Sequence, residues 1–313
     1  MSYNVGGLIE AKDYNDFVGT SNSNVPNTVN AVWSVGNGSS GYGQPAVPQV
    51  AIGNTVTASQ WATMINTLNS LRMHQSGAGT TVPTVVAGDL IEYKNNLQSE
   101  ITTIYNNRDL HNSLSPVTLG TIHTAYWSST AMTSQTRTFT LRVTFQTPDA
   151  ARYFFNAGGE LKVNYSATRN GSTTARTDSI IAVINSLGGI KEFAGKSNGG
   201  RLGTGGTVMS SDATKGYWTS TYNINTPIYS VRHGSGSYST DSATLAVKPN
   251  GSTGSNGSNG QYIDFILTVT SGIGSWATSA DSFGIRLDQS IDVFYPSTAA
   301  LANTWGTITV TAL

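Results

Sequence analysis

Cysteine is absent from this 313-residue chain. Disulfides and thiolate metal sites are therefore excluded, and the redox compartment leaves no mark on the sequence. Charge is scarce too. Asp, Glu, Lys and Arg make up 11% of residues, against about 25% in an ordinary soluble domain. The 17 basic residues balance the 17 acidic ones, for a formal net charge of zero. Nucleic acid as a main partner calls for a basic field, which a neutral chain does not supply. No apolar run approaches the ~20 residues of a membrane span. The opening Met1-Ser2-Tyr3-Asn4-Val5-Gly6 has neither the basic start nor the apolar centre of a secretory signal. The expectation is synthesis in a cytoplasm, without signal-dependent export.

What the chain holds instead is Ser, Thr, Asn and 34 glycines. With so few charges, these residues must make the polar surface, and they suit strands and turns. Such a surface also docks onto neighbours with little charge to desolvate. A neutral chain associates readily. The length allows one large or two ordinary domains with sizeable cores.

The first ~115 residues carry a weak internal repeat. Ile9-Glu10-Ala11-Lys12-Asp13-Tyr14, Val56-Thr57-Ala58-Ser59-Gln60-Trp61 and Val85-Val86-Ala87-Gly88-Asp89-Leu90 share apolar, spacer, Ala, two mostly polar residues, then a large apolar residue. Each continues at helical spacing. Trp61, Ile65 and Leu68 share a face, as do Leu90, Lys94 and Leu97. The spacing predicts helices over 58–73 and 87–107, with a third start near residue 10. Thr57 and Ser59 are the candidate N-caps of the middle helix. Between the first two lies Gly36-Asn37-Gly38-Ser39-Ser40-Gly41-Tyr42-Gly43, a permissive loop anchored by Trp33 and Tyr42. It lacks the Lys-Ser/Thr of a phosphate loop. The later Gly195-Lys196-Ser197 lacks a correctly spaced opening glycine.

From about Leu119 the period changes to two. Phe139, Leu141, Val143 and Phe145 alternate along one face, and Leu161, Val163 and Tyr165 do the same. Asn170-Gly171 carries a hairpin-turn signal. Residues 177–187 read as an amphipathic helix with Ile180, Ile181, Ile184 and Leu187 on a face, stopped by Gly188-Gly189. Further strands are expected over 216–222, 227–232, 243–247, 262–270, 290–295 and 306–312, with 262–270 the most apolar and central. Regular short strands between Gly, Ser and Asn turns predict a β-sandwich. The fold class is therefore mainly β. An antiparallel, jelly-roll-like sandwich over 119–313 follows a smaller, loop-rich helical docking region over 1–118. Two Gly-rich stretches, 196–206 and 249–260, bury little apolar surface and are expected to be mobile or ordered only by a neighbour.

Chemistry is not spelled out. The four histidines, His74, His111, His123 and His233, do not fall at helical metal-site spacing. His74 reads as a helix C-terminal cap. No nucleophile elbow is evident, and the scattered acids offer no local glycosidase pair. Asp178, Asp264 and Asp281 read as turn, cap or sheet-face residues. Catalytic, cofactor-binding and metal residues are accordingly assigned as none, and the chain is read as a non-enzyme. The aromatics of Tyr153-Phe154-Phe155, Tyr217-Trp218 and Phe294-Tyr295 fit a sugar-stacking surface or a sandwich core. The core reading is favoured.

The densest aromatic cluster opens the stretch Ala151-Arg152-Tyr153-Phe154-Phe155-Asn156-Ala157-Gly158-Gly159-Glu160-Leu161. It resembles a motif common in virion structural proteins of tailed bacteriophages, those of marine cyanophages especially. Ile9–Asn15, Gly41-Tyr42-Gly43-Gln44, residues 56–61 and His74-Gln75 are similar to that group in the same order, so the resemblance spans roughly 3–300. Ile180-Ile181 stands where a Trp is common in the group. The resemblance implies a virion part of the neck, tail, baseplate or fibre attachment, assembled in the host cytoplasm. Its implied partners are other virion proteins and further copies of itself, as a trimer or hexamer, with no nucleic acid and no membrane. A closed ring of copies needs a heterologous interface. The alternative is a receptor-binding tail fibre or spike recognising host surface glycan. Residues 196–206 and 249–260 hold no aromatics to display, which leans towards the structural reading. A tail-borne depolymerase is the weakest reading. Within the motif, Phe154 or Phe155 is expected to anchor the sandwich at a corner, with Gly158-Gly159 turning the chain into a strand.

Overall fold

The computed structural model describes residues 10–86, 94–131, 133–233, 236–272 and 282–313. It opens with helices α1 (Ala11–Val18), α2 (Val29–Trp33), α3 (Ala58–Ser76) and α4 (Lys94–Asn106). Strands β1 (Leu114–Ser129) and β2 (Gln135–Thr144) lead into helix α5 (Pro148–Asn156) and strand β3 (Glu160–Arg169). Helix α6 (Ala175–Leu187) runs directly into β4 (Gly189–Phe193). The remaining strands are β5 (Thr207–Ser211), β6 (Thr226–Arg232), β7 (Ser242–Asn250), β8 (Tyr262–Ser271), β9 (Phe283–Pro296) and β10 (Thr309–Ala312).

The strands form two antiparallel sheets. One has the order β1-β9-β3-β4, the other β10-β2-β8-β7-β6-β5. Successive strands β1, β2 and β3 alternate between the sheets, as do β8, β9 and β10, so the connections interleave in jelly-roll fashion. The protein is mainly β, and the architecture is that of a β-sandwich. Period-two patterning sets the inner faces. Phe139, Leu141 and Val143 on β2 lie opposite Leu267, Phe265 and Ile263 on β8, and all six are buried. The apolar strand over 262–270 is interior to its sheet, as expected.

Helix α6 lies between the sheets. It packs on β3 and β9 of one and on β6, β7 and β8 of the other. Ile180, Val183, Ile184 and Leu187 are fully buried, and so is Thr177, while Ile181 is only half-buried. The buried arc is therefore wider than the single face read from spacing. Thr174 caps its start through Thr177 N–H, and Gly188 ends it in the left-handed region. The Asn170-Gly171 signal marks a strand-to-helix turn, not a hairpin, because β3 ends there and α6 follows.

The helical region is laid down by local signals. Thr57 accepts Gln60 N–H while Gln60 reaches back to the Thr57 N–H, a capping box that starts α3. Gly77, left-handed, stops it three residues beyond the expected end. Ser59 is not the cap. The end of α4 agrees with the sequence, but its expected start over 87–93 lies outside the described residues, as do Ile9 and most of the third repeat copy. Strand β1 begins earlier than the change of period at Leu119. Ser115, Pro116, Val117 and Thr118 are all exposed, so no inward–outward alternation betrays it. The strand expected over 216–222 is absent. Gly216 lies so close to Ala194 O and Ser197 N that a Cβ would collide, and the chain turns there instead.

Candidate functional site

The stretch with the strongest sequence signal folds as helix α5, and the chain turns from its end into β3. Thr147 accepts Ala150 N–H at 2.9 Å, Pro148 follows at the first helical position, and Asp149 sits in the first turn. Arg152 and Asn156 are one turn apart and so share a face. Both are buried and aimed at the loop 36–43. Arg152 Nη1 donates to Ser40 O at 2.9 Å, and its Nε donates to Asp149 Oδ1 at 3.0 Å. The guanidinium lies 4.7 Å from the Tyr153 ring centroid. Asn156 Nδ2 is within 3.1 Å of the carbonyls of Gly38, Ser40 and Gly41, and its Oδ1 accepts Trp218 Nε1 at 3.0 Å.

These contacts explain the glycines of the loop. A Cβ on Gly43 would lie 2.5 Å from the Tyr153 ring, and one on Gly41 would strike Val35 O. The glycines admit close backbone approach, and no phosphate cradle is needed to account for them. From the same loop the buried Tyr42 hydroxyl donates to Arg108 O at 2.7 Å and accepts from Gln75 Nε2. Thr304 Oγ1 donates to Tyr42 O, and Gln44 exchanges two hydrogen bonds with the Ala302 backbone. The loop thus joins α3, the turn after α4, helix α5 and the segment before β10.

His74 does not cap its helix. Its Nε2 lies 3.1 Å from Ala157 O, and its ring packs edge-on to Tyr42 at 5.1 Å. A carbonyl only accepts, so Nε2 carries the proton. Burial pushes the imidazole down to about 4, so it is neutral at physiological pH. It also borders a cavity of about 210 Å³ lined by Asn69, Met73, Asn112 and Ala299.

The three aromatic groups named from the sequence meet around a buried centre, with Tyr153, Trp218, Phe294 and Tyr295 half-buried. Phe155 stacks on Tyr217 at 4.5 Å, and Phe154 contacts Phe145, Phe155 and Tyr295 at 5.1–6.0 Å. Phe154, Phe155 and Tyr217 are all buried, so they offer no face to a sugar. Both phenylalanines anchor the sandwich. Gly158, at φ 80°, turns the chain towards β3, and Gly159 passes against the Phe154 ring.

Elsewhere, Asp178 pairs with Arg169, and Asp264 pairs with Arg142 at 2.7 Å and with Lys248 across the sheet. Asp178 is a first-turn residue of α6, and Asp264 is a sheet-face residue. Asp281 lies outside the described residues. Lys196 of the Gly-Lys-Ser segment pairs with Asp109. His123 accepts from Gln289 Nε2, and His111 lies 3.6 Å from Glu160. Among the described residues no three His, Asp or Glu side chains are placed to share a metal ion.

A second buried polar locus was not foreseen. Asp241 is fully buried, and neither carboxylate oxygen closes a regular hydrogen bond. The Ser179 hydroxyl and the Gly272 N–H face it loosely, and Arg176 and His233 lie nearby. Burial pushes the carboxyl up to about 6. Arg176 itself donates to Ser271 Oγ, Ala131 O and Thr133 O and lies over the Phe283 ring.

The two Gly-rich stretches are ordered by this chain's own residues. In residues 249–260, Asn256 O accepts Gly38 N–H at 2.8 Å, while Asn259 Nδ2 donates to Ser220 O and Tyr217 O. Residues 196–206 fold back on β4 through Lys191 N–H to Gly200 O and Leu202 N–H to Gly189 O. Such pairing leaves no periodic trace in the sequence.

The outer surface carries the other candidate. Strand β5 ends its sheet with all five residues exposed and none charged, Val208 and Met209 among them. By contrast, the long edge β1 is guarded. It is bulged near residues 118–123, holds Pro116, and has its Tyr126 carbonyl capped by Arg137 Nη1. Ile52, at 92% exposure, stands out from a turn of the helical region.

No protein-family model matches the chain, and neither does any curated protein or solved structure.

Proposed function

We propose that this chain is a structural component of a tailed-phage virion, a part of the neck, tail, baseplate or fibre attachment that works by protein–protein assembly. The observation that carries the assembly reading is the unguarded edge strand β5. Edge strands of monomers are ordinarily blunted with charge, proline or a cover, as β1 is. Here Thr207-Val208-Met209-Ser210-Ser211 presents apolar and hydroxyl side chains with no charge to desolvate. The virion reading rests in addition on the resemblance of residues 151–161 and of the ordered N-terminal segments. Its partners are other virion proteins and further copies of the chain, as a trimer or hexamer. The place of action is the particle.

Native mass spectrometry of the purified chain, beside its Val208→Lys/Met209→Lys variant, tests the assembly surface. The expected result is a discrete homo-oligomer that the double variant reduces to monomers without lowering the melting temperature. A parent chain that stays monomeric, or a variant that assembles like it, overturns β5 as the contact. A reconstruction of the intact particle tests the location. Glycan recognition is the competing reading, and a glycan array reads it out. The burial of Phe154, Phe155 and Tyr217 withholds three of the seven rings it would have relied on, while Tyr153, Trp218, Phe294 and Tyr295 are half-buried.

A further inference from the structure

Six Asn-Gly dipeptides occur in the chain, at Asn37, Asn170, Asn198, Asn250, Asn256 and Asn259. Each is a site of the same spontaneous chemistry. The backbone nitrogen of the glycine loses its proton and attacks Cγ of the asparagine. The bond from Cγ to the side-chain nitrogen breaks, and that nitrogen leaves as ammonia. Water then opens the resulting five-membered imide at one carbonyl or the other, giving Asp or isoaspartate. Net, one water is consumed and one ammonia released, with no oxidant or cofactor. Ring closure needs a free nucleophilic nitrogen, a free side-chain amide and a backbone able to rotate.

The fold withholds one or more of these at five of the sites. At Asn37, the Gly38 N–H is donated to Asn256 O at 2.8 Å. At Asn198, the side-chain amide donates to Asp212 O and Lys215 O, and the Gly199 N–H to Glu192 O. At Asn250, the Gly251 N–H is held by the residue's own Oδ1, and the residue is paired with Tyr262 at the end of β7. Asn256 has its carbonyl bound by Gly38, and Gly257 lies against Asn37 and Gly38. The Asn259 amide is spent on Tyr217 O and Ser220 O.

Asn170-Gly171 differs on every count. Both residues are exposed. Gly171 sits at φ 77° with nothing within 4 Å of where a Cβ would be. Among the described residues neither its N–H nor the Asn170 side-chain amide has a hydrogen-bond partner. Only the Asn170 N–H is anchored, to Gly284 O at 3.0 Å.

We infer that Asn170 is the deamidation site of the folded protein, and that the other five asparagines are protected by the tertiary structure. The product places a new carboxylate beside the exposed Arg169–Asp178 pair. The isoaspartate form adds a backbone methylene between β3 and α6. The inference is independent of the proposed function.

The test is incubation of the full-length folded protein at mildly alkaline pH, followed by peptide mapping with separation of Asp from isoaspartate. A parallel sample is kept unfolded in urea. In the folded protein Asn170 converts roughly tenfold faster than any of the other five, since local order withholds reactive conformers by an opening equilibrium. In urea all six convert at comparable rates. Asn170→Gln abolishes the early acidic variant of the folded protein. The inference is overturned if Asn250 or Asn256 converts first, if the folded protein converts all six alike, or if Asn170 is as protected as the rest.

Discussion

Asn156 makes more hydrogen bonds than any motif spacing discloses. Its amide serves three carbonyls of the loop 36–43 and accepts from Trp218. Asn156→Ala leaves those buried groups unpaired, at about 1–3 kcal/mol for each group left unpaired. Phe154→Ala and Phe155→Ala each remove a fully buried ring and should cost about 3–5 kcal/mol. Urea midpoints of the three variants check both figures. Unchanged midpoints for the two phenylalanine variants would remove the sandwich-anchor role.

Two titrating residues pull stability in opposite directions. Asp241 takes up its proton at about 6 when folded, above its ordinary 3.8. The buried charge therefore penalises the fold fully above pH 6, and the penalty fades towards pH 4. Its size is about 3 kcal/mol at most. Asp241→Asn should accordingly raise the melting temperature at pH 7–8 and make little difference at pH 4. A lower melting temperature at pH 8 would show that the carboxylate is stabilising. His74 behaves conversely. Folded, it resists protonation down to about 4, while an unfolded histidine protonates near 6.5. Stability is lost as pH falls through that window, again by about 3 kcal/mol at most. His74→Gln should flatten the acid limb of the stability curve between pH 6.5 and 4. An unchanged limb would contradict the neutral, buried assignment.

At the scale of elements, the loop 36–44 and helix α5 act as one unit. Gly43 takes φ 73° and lies against the Tyr153 ring. Gly43→Ala therefore combines strain with a collision, and should destabilise well beyond the ~1 kcal/mol of an ordinary Gly-to-Ala change. Thr57→Ala removes one capping interaction from α3 and should cost about 1 kcal/mol. The contrast between them tests whether tertiary fit outweighs local capping. Equal losses would place the loop among ordinary turns. Elements written in local chemistry were legible beforehand: the capped start of α3, the Gly188 stop of α6, and the alternation along β2, β3 and β8. Strands β4 and β5 were not. β4 is five residues long, and β5 is exposed on both faces, so neither shows an apolar period of two.

At the scale of the molecule, the helical region and the sandwich meet through buried hydrogen bonds and shared apolar contacts. Arg152, Asn156, His74 and Tyr42 all bridge elements far apart in sequence. Unfolding followed by far-ultraviolet and aromatic circular dichroism should therefore give one coincident transition. Two separated transitions would show that the helical region melts alone.

The sequence by itself determined the class of the protein: a low-charge, cysteine-free, mainly β chain with short capped helices ahead of a sandwich. Those properties follow from composition and from periods of two and 3.6, which act over a few residues. Tertiary structure alone decided that the aromatic motif is a buried helix, that α6 lies between the sheets, and that the glycine loops are tied to one another. It also decided which buried side chains carry perturbed charge and which asparagine is left free. Each of these depends on contacts between residues tens to hundreds of positions apart, and no local pattern records which partner fills a given space.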